Sequence, residues 1–244
     1  MTSSARQSSA VMQSRTSPKD ALDYFPTPPW AARAPLHELL LPLGLDLGRK
    51  RVRDPAAGGG HLLGPLGEVF GAVDYSDVAD WGINPPIRDF LFETPATLAA
   101  DGIERPDWII TNPPFNVAST FFERAITIAA EGVAFFCRLG FLAGQDRYTS
   151  IYRPQPVTYL CAFAERVSLI EGAWDPEASS ATDYAWFVWI KGMAPQPVFH
   201  LPPGMARKYS RIEDLALATP GEAARRAKLR KQGERPDHFG GLFG

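Results

Sequence analysis

Short apolar stretches alternate with helical stretches along most of this chain, and this alternation constrains the fold more than any other feature. Apolar residues recur at helical spacing from about Trp30 to Leu43 and in the stretch ASTFFERAITIAAEG, which predicts a helix in each. Around these helices we predict five strands, in RVRDPAA, EVFGAVDYS, PIRDFLFE, PDWIIT and VAFFCRL. Alternation of this kind builds βαβ units, in which a mostly parallel sheet carries helices on both faces.

The pattern changes after about residue 150. The stretches PVTYLCAF, ERVSLI and YAWFVWIKG are rich in β-forming residues and have no helical segment between them. Consecutive strands without crossover helices favour a mixed or antiparallel edge. The predicted fold class is therefore α/β, with one sheet that is mostly parallel.

Composition narrows the function classes. With 244 residues, 45% of them hydrophobic, the chain suits one main domain, and a net charge of -2 excludes a uniformly basic nucleic-acid coat. Cys137 and Cys161 lie in apolar contexts and the four histidines are scattered, so we expect neither a disulfide framework nor a metal site. No apolar run approaches the roughly 20 residues of a membrane span, and we expect a cytoplasmic protein.

Polar and glycine residues follow the first predicted strand, at the sheet edge where α/β proteins bind ligands. Asp54 and Pro55 close that strand, and Gly58 and Gly60 follow with G-x-G spacing. Glycines at such a turn let the backbone approach a ligand closely, which indicates a nucleotide-like ligand. An ordinary glycine turn has the same pattern.

Two further strand ends carry carboxylates. Asp74 ends the second predicted strand, where it could accept hydrogen bonds from ribose hydroxyls. Asp89 and Phe90 end the third, where a carboxylate and a ring could hold the amino group and the face of an adenine. A solvated turn for Asp74 and a strand end with a core ring for Phe90 are the alternatives.

The fourth strand leads directly into Asn112-Pro113-Pro114-Phe115. Each proline fixes φ and removes a backbone donor, so the turn is stiff and presents carbonyl oxygens. The Asn112 side-chain oxygen and the Pro113 backbone oxygen could both accept from one NH₂ group, while Phe115 stacks on its ring. Two acceptors on an aryl amine localise its lone pair and make it nucleophilic. A rigid loop capped by a core Phe is the alternative.

In this order, YFPTPPW, DPAAGGG, AVDYS, RDFLF and TNPPF resemble the S-adenosylmethionine-dependent amino methyltransferases. The similarity is greatest to the DNA adenine-N6 methyltransferases that place the cofactor motif before the catalytic motif, and it covers about residues 23 to 191. It implies a Rossmann-like class I methyltransferase fold, with a mostly parallel seven-stranded sheet, an antiparallel edge and helices on both faces. It also implies S-adenosylmethionine as the cofactor and no metal.

The resemblance implies a role for each matching residue. Thr27 would contact the methionine end of the cofactor. The remaining cofactor residues would be Asp54, Pro55, Gly58 and Gly60 at the amino-acid and sulfonium region, Asp74 at the ribose, and Asp89 with Phe90 at the adenine. The catalytic residues would be Asn112, Pro113, Pro114 and Phe115, holding an adenine flipped out of the DNA duplex.

Other substrates share a planar NH₂ group. Cytosine N4, RNA bases and the glutamine side chain of a protein remain alternatives, and a non-catalytic nucleic-acid-binding relative is an alternative from another class. The implied partners are DNA and, in a restriction-modification system, a cognate nuclease. The chain would act as a monomer or homodimer in a bacterial or phage-infected cell.

The implied domain organisation has three parts: a disordered tail at 1–20, a methyltransferase domain at 21–203 and a basic extension at 204–244. The segment from Gly204 to Arg235 contains nine Lys or Arg residues and four Asp or Glu residues. Because this segment is basic, the extension could lie along DNA phosphates. A solvated helix is the alternative. The candidate DNA-contacting residues are Arg147, Arg225, Arg226, Lys228 and Arg230.

Overall fold

The computed structural model of the protein describes residues 22–232, apart from the side chain of Arg230. The predicted disordered tail and the last part of the basic extension lie outside these residues. Within them, seven strands form one sheet in the order β2-β1-β3-β4-β6-β5-β7. The strands are β1 (Arg51–Asp54), β2 (Ala72–Tyr75), β3 (Trp108–Thr111), β4 (Gly132–Arg138), β5 (Tyr159–Phe163), β6 (Tyr184–Ile190) and β7 (Phe199–Leu201).

The strand directions confirm the predicted mixed sheet. In the described sheet, β6 runs antiparallel to both of its neighbours, β4 and β5, while every other neighbouring pair is parallel. The strands β1 to β4 therefore end at one common edge of the sheet. The predicted site residues follow β1, β2 and β3 at that edge.

Helices cover both faces of the sheet, as predicted. Side chains alternate along each strand, so Ile110 and Phe136 join the core under α1, while Ile109 and Phe135 join the core under α4. Because both faces are covered, the central strands are apolar throughout. The helices are α1 (Pro29–Pro35), α2 (Leu63–Gly67), α3 (Pro95–Ala100), α4 (Ala118–Ile128), α5 (Gln145–Arg147), α6 (Met205–Tyr209) and α7 (Glu222–Lys231).

Two predicted strands are wrong. In PIRDFLFE, a single isolated bridge joins Asp77 to Ile87, and a 3-10 turn at Phe90–Phe92 follows. Two prolines precede Ile87 and remove backbone donors, and the Asp89 side chain accepts from the Leu91 N–H at 3.0 Å, which favours the turn. In ERVSLI, the structure has only an isolated bridge from Ile170. The seventh strand is instead β7, which pairs with β5.

The described part of the basic extension packs against the main domain through Arg33. This α1 side chain is 3% exposed, and its guanidinium pairs with Asp214 at 2.6 and 2.8 Å. It also contacts Glu68 at 2.9 Å and the Tyr209 carbonyl at 3.0 Å. Residues 205–217 are thus joined to α1 and to the end of α2. Over residues 22–232, the structure contains no helix long and apolar enough to cross a membrane.

Candidate active site

A cavity of about 220 Å³ opens where β1, β2 and β3 end. Its wall comes from five parts of the chain, and each of them follows one of these strand ends or faces it. These parts lie within residues 22–27, 55–62, 77–81, 88–91 and 112–121. The cavity is therefore at the edge of the sheet where α/β folds bind their ligands, as predicted from the order of strands and motifs.

Asn112, the first residue after β3, has its amide held in one orientation. Its Nδ2 atom donates to the Phe25 carbonyl at 2.6 Å and to the Thr27 hydroxyl at 2.9 Å. Because a carbonyl only accepts, the amide nitrogen must face Phe25, and the amide oxygen must point elsewhere. Within the described residues, no donor reaches this buried Oδ1 atom. Asn112 thus brings an acceptor without a partner to the cavity wall.

The rest of the Asn-Pro-Pro-Phe turn lies beside this acceptor. Pro114 lines the cavity, whereas Pro113 and Phe115 do not belong to the wall as formed by the described residues. The Phe115 ring packs against the Phe25 ring at a centroid distance of 5.5 Å. The Arg138 guanidinium lies 5.0 Å from the centre of the Phe115 ring, in a cation–π contact. The predicted stacking face is therefore next to the cavity and in contact with Arg138.

The glycine turn after β1 approaches Tyr24 so closely that side chains would not fit. A Cβ atom on Gly58 would lie 2.4 Å from the Tyr24 ring, and one on Gly59 would lie 2.6 Å from the Tyr24 hydroxyl. Gly58 also has a φ of +53°, which favours glycine. The Gly59 N–H donates to the Tyr24 hydroxyl at 2.9 Å. Burial raises the pKa of Tyr24 to about 12, so this hydroxyl keeps its proton.

The remaining residues of the predicted loop support this turn. Asp54 is fully buried, and its carboxylate accepts from the Ala56 N–H at 3.2 Å. Burial raises the pKa of Asp54 to about 7. Gly60, with a φ of +81°, turns the chain towards α2. Among Asp54, Pro55 and Gly60, only Pro55 contributes to the cavity wall formed by the described part of the chain.

The predicted ribose residue, Asp74, lies away from the cavity. Its carboxylate pairs with Arg51 at 2.9 Å, and it is absent from the wall in the described structure. The wall instead contains Asp77, which is 5% exposed and accepts from the Gly58 N–H at 2.8 Å. Because β2 continues to Tyr75, Asp74 is still inside the strand and its side chain follows the strand alternation. Asp77 lies beyond the strand end, at the ligand edge.

Asp89 and Phe90 both line the cavity, although no strand precedes them. One Asp89 oxygen accepts from the Leu91 N–H, which leaves the other oxygen for a ligand. The Phe90 side chain is 1% exposed, and its ring lies 4.9 Å from the ring of Phe121. Phe90 therefore presents only a small part of its ring to the cavity.

The predicted DNA-contacting residues differ in what surrounds them. The Arg147 guanidinium donates to the Phe141 carbonyl at 2.9 Å and also contacts Ala143, so it holds the turn after β4. This placement argues against a role for Arg147 on DNA. In α7, Arg225 and Arg226 pair with Glu222 at 2.7 and 2.6 Å. Lys228 is exposed on the same helix, which also contains Arg230.

Several wall residues were missed from the sequence, among them the polar and aromatic residues Tyr24, His61, Asp77 and Trp81. The Tyr24 ring stacks on the Trp81 ring at a centroid distance of 4.5 Å, which links the amino-terminal segment to the loop after β2. Tyr24 precedes the Thr-Pro-Pro motif and His61 directly follows the glycine turn, so position along the chain could have pointed to both. Trp81 gave no signal, because only the tertiary fold brings it to Tyr24.

No protein-family model matches the chain, and no curated protein matches its sequence. Solved structures do match, at low identity. A Listeria monocytogenes protein, provisionally assigned as a class I S-adenosylmethionine-dependent methyltransferase, aligns with a TM-score of 0.51 and 13% identity over 83% of this chain and 70% of its own. The protein has the class I methyltransferase fold.

Two matches to this methyltransferase fold come from restriction systems. A provisionally assigned modification subunit of a type I restriction enzyme from Vibrio vulnificus has a TM-score of 0.52 and 13% identity over 88% of this chain. The type IIG restriction endonuclease BpuSI has a TM-score of 0.50 and 13% identity over 69% of this chain. The chain spans 54% of the first protein and 25% of the second. Both are longer proteins that contain this fold.

Proposed function

We propose that the protein transfers a methyl group from S-adenosylmethionine to the exocyclic N6 amine of adenine in DNA. The observation that supports this most is the amide of Asn112. Both donors of its Nδ2 atom are taken by the segment 25–27, which leaves a buried oxygen free to accept at the cavity. A fixed acceptor without a partner suits a ligand that brings an N–H group, as an exocyclic amine does.

The other wall residues suit the cofactor. Asp89 has an oxygen free for the adenine amino group, Phe90 follows it in the wall, and Asp77, which accepts from the Gly58 N–H, is the proposed acceptor for a ribose hydroxyl. Gly58 lines the same wall and permits the close contact with Tyr24 that holds the glycine turn there. When bound, S-adenosylmethionine supplies an electrophilic methyl group on a sulfonium.

In the proposed reaction, the Asn112 oxygen and the Pro113 carbonyl accept the two hydrogens of the target amine. This contact localises the nitrogen lone pair and points it at the methyl group. Thr27 and the Phe25 carbonyl keep the Asn112 amide from rotating. A carbon–nitrogen bond forms as the carbon–sulfur bond breaks, and the extra proton on the nitrogen leaves to solvent.

The choice of DNA as the substrate has its own support. The motif order and the restriction-system proteins of the same fold support DNA, and a partner nuclease would follow from that setting. The exposed Lys228 on α7, with Arg225 and Arg226 beside it, is the proposed phosphate-contacting group. A bacterial or phage-infected cytoplasm is the corresponding location.

The test is transfer of isotopically labelled methyl from S-adenosylmethionine to unmethylated DNA, RNA and protein in parallel, followed by mass spectrometry of the digests. We expect label in N6-methyladenine from DNA. Label in N4-methylcytosine would correct the base, and label in RNA or in glutamine would correct the substrate. Cofactor binding without any transfer would identify a non-catalytic relative.

A further inference from the structure

His61 is a buried polar residue at the cavity wall for which the proposed reaction gives no role. It follows the glycine turn directly and is 7% exposed. Its ring contacts Trp174 edge to face at a centroid distance of 6.1 Å. A Cβ atom on Gly59 would lie 3.4 Å from Nδ1, so this edge of the imidazole faces the glycine turn.

The hydrogen bond at the other ring nitrogen defines the tautomer of His61. Nε2 lies 3.1 Å from the Leu217 carbonyl oxygen. A carbonyl cannot donate, so Nε2 must hold the proton. Burial lowers the pKa of His61 to about 4, so the imidazole is neutral near pH 7 and Nδ1 holds a free lone pair. No donor among residues 22–232 satisfies this buried Nδ1 atom.

We propose that Nδ1 of His61 accepts a hydrogen bond from the α-ammonium group of S-adenosylmethionine and so positions the amino-acid end of the cofactor. The proposal rests on the proposed function, because it assumes that this cofactor occupies the cavity. His61 would be a binding residue, since it touches the cofactor far from the methyl group.

The position of His61 selects the amino-acid end over the other parts of the cofactor. The adenine is proposed at Asp89 and Phe90, and the methyl group must approach Asn112. The glycine turn beside His61 is left for the amino-acid end, whose ammonium is the strongest donor in the molecule. Asp214 is also close enough to favour positive charge at His61. A neutral acceptor can bind an ammonium there without bringing a second cation into the buried site.

Two substitutions of His61 separate the roles of its two nitrogens. In His61→Gln, the side-chain amide reaches the place of Nε2 and can still donate to the Leu217 carbonyl, but the acceptor at Nδ1 is lost. In His61→Asn, the shorter amide takes the place of Nδ1 and keeps an acceptor there, but the contact with Leu217 is lost. The two variants therefore distinguish a role of His61 in binding the ligand from a role in anchoring the carboxyl-terminal segment at Leu217.

The experiment is calorimetric titration of the full-length protein with S-adenosylhomocysteine and with 5′-methylthioadenosine, which lacks the amino-acid end. For His61→Gln, we expect about tenfold weaker binding of S-adenosylhomocysteine, the loss of one charged hydrogen bond, and 5′-methylthioadenosine binding within about twofold of wild type. His61→Asn should keep affinity for S-adenosylhomocysteine within about threefold and lower the thermal midpoint.

Several results would overturn the inference. Unchanged binding of S-adenosylhomocysteine by His61→Gln would show that Nδ1 makes no contact with it. An equal loss for both ligands would place His61 at the adenosine instead. If the wild-type protein bound neither ligand, the inference and the proposed cofactor would both fail. If it bound S-adenosylhomocysteine in a His61-dependent way but methylated nothing, the inference would stand and the proposed function would fail.

Discussion

The two sides of the cavity differ in how their polar groups are satisfied. On the glycine-turn side, the protein already supplies partners to the backbone donors: Gly58 donates to Asp77, and Gly59 donates to Tyr24. On the other side, Asn112 is fixed by two hydrogen bonds but keeps an acceptor without a partner in the described structure. The first side therefore holds the glycine turn in place and offers the His61 Nδ1 atom to the cofactor, whereas the second offers the Asn112 oxygen to the substrate.

The largest effect on methyl transfer should come from the Asn112 side of the cavity. Asn112→Ala removes the only side-chain acceptor that the proposed reaction places on the amine, so we expect methyl transfer to fall about 100-fold or more. Binding of S-adenosylhomocysteine should change less than about threefold, because the glycine turn is untouched. Single-turnover transfer and calorimetry measure the two quantities. Retention of most of the transfer rate would disprove the role of the amide.

A side chain added to the glycine turn should have a smaller effect, and it should weaken cofactor binding more than methyl transfer. In Gly58→Ala, the new methyl group would meet the Tyr24 ring at 2.4 Å in a backbone with positive φ, so Tyr24 and the turn must move apart. We expect affinity for S-adenosylhomocysteine to fall by more than about tenfold, with a milder loss of transfer at saturating cofactor. Gly64→Ala is the matched control, because its Cβ would meet open space in α2. Equal effects of both variants would argue against the fit to Tyr24.

The two acidic residues near β2, Asp77 and Asp74, should differ in how much they contribute to cofactor affinity. Asp77→Asn leaves one oxygen for the donors of Gly58, Ala79 and Trp81, so cofactor affinity should fall about tenfold. Asp74→Asn removes a partly exposed ion pair with Arg51 and should change affinity less than about twofold. Titration of both variants with S-adenosylhomocysteine distinguishes them. A larger loss in Asp74→Asn would restore the role predicted from the sequence.

The smallest effect should come from loosening the Asn112 amide. Thr27→Val keeps the shape of the side chain but removes the hydroxyl that accepts from Nδ2, while the Phe25 carbonyl remains. We expect the transfer rate to fall about fivefold, the value of one net hydrogen bond. Thr149→Val is the control, since the hydroxyl of the exposed Thr149 donates to the Gln145 carbonyl and is not part of the cavity wall in the described structure. If the two variants had the same rate, Thr27 would have no orienting role.

The sequence predicted the sheet correctly because strands and helices follow from local patterns, and short motifs supplied the candidate site residues. Apolar strands that alternate with helices lead to one sheet edge, and Asn112 and Thr27 could be chosen from short motifs. The structure brings these two residues into contact at 2.9 Å, although they are 85 positions apart. The motifs could not show this hydrogen bond, but they named both of its partners.

Where an expectation and the structure differ, the cause is local. Asp74 was chosen as the end of the second predicted strand, whereas the strand extends one residue further and Asp77, not Asp74, lines the cavity. The segment before Phe90 looked like a strand, yet its prolines and the Asp89 side chain favour a turn. Arg147 was chosen for its charge, which the structure uses on the carbonyls of its own loop. The prolines before Phe90 are visible in the sequence, whereas the ion pair of Asp74 and the carbonyl contacts of Arg147 have no signature in spacing or composition.

The Arg33 contacts limit where recombination could join a foreign carboxyl-terminal segment to this fold. The composition changes at residue 204, but the buried guanidinium of Arg33 has Asp214 as its partner, and loss of one member of a buried pair typically costs about 3–5 kcal/mol. A recombination event that joined a foreign segment at residue 204 would thus leave the buried Arg33 with Glu68 alone and without its two hydrogen bonds to Asp214. A junction beyond Leu217 would avoid that defect. Natural selection could then vary whatever follows, α7 included, while the catalytic unit continued to fold.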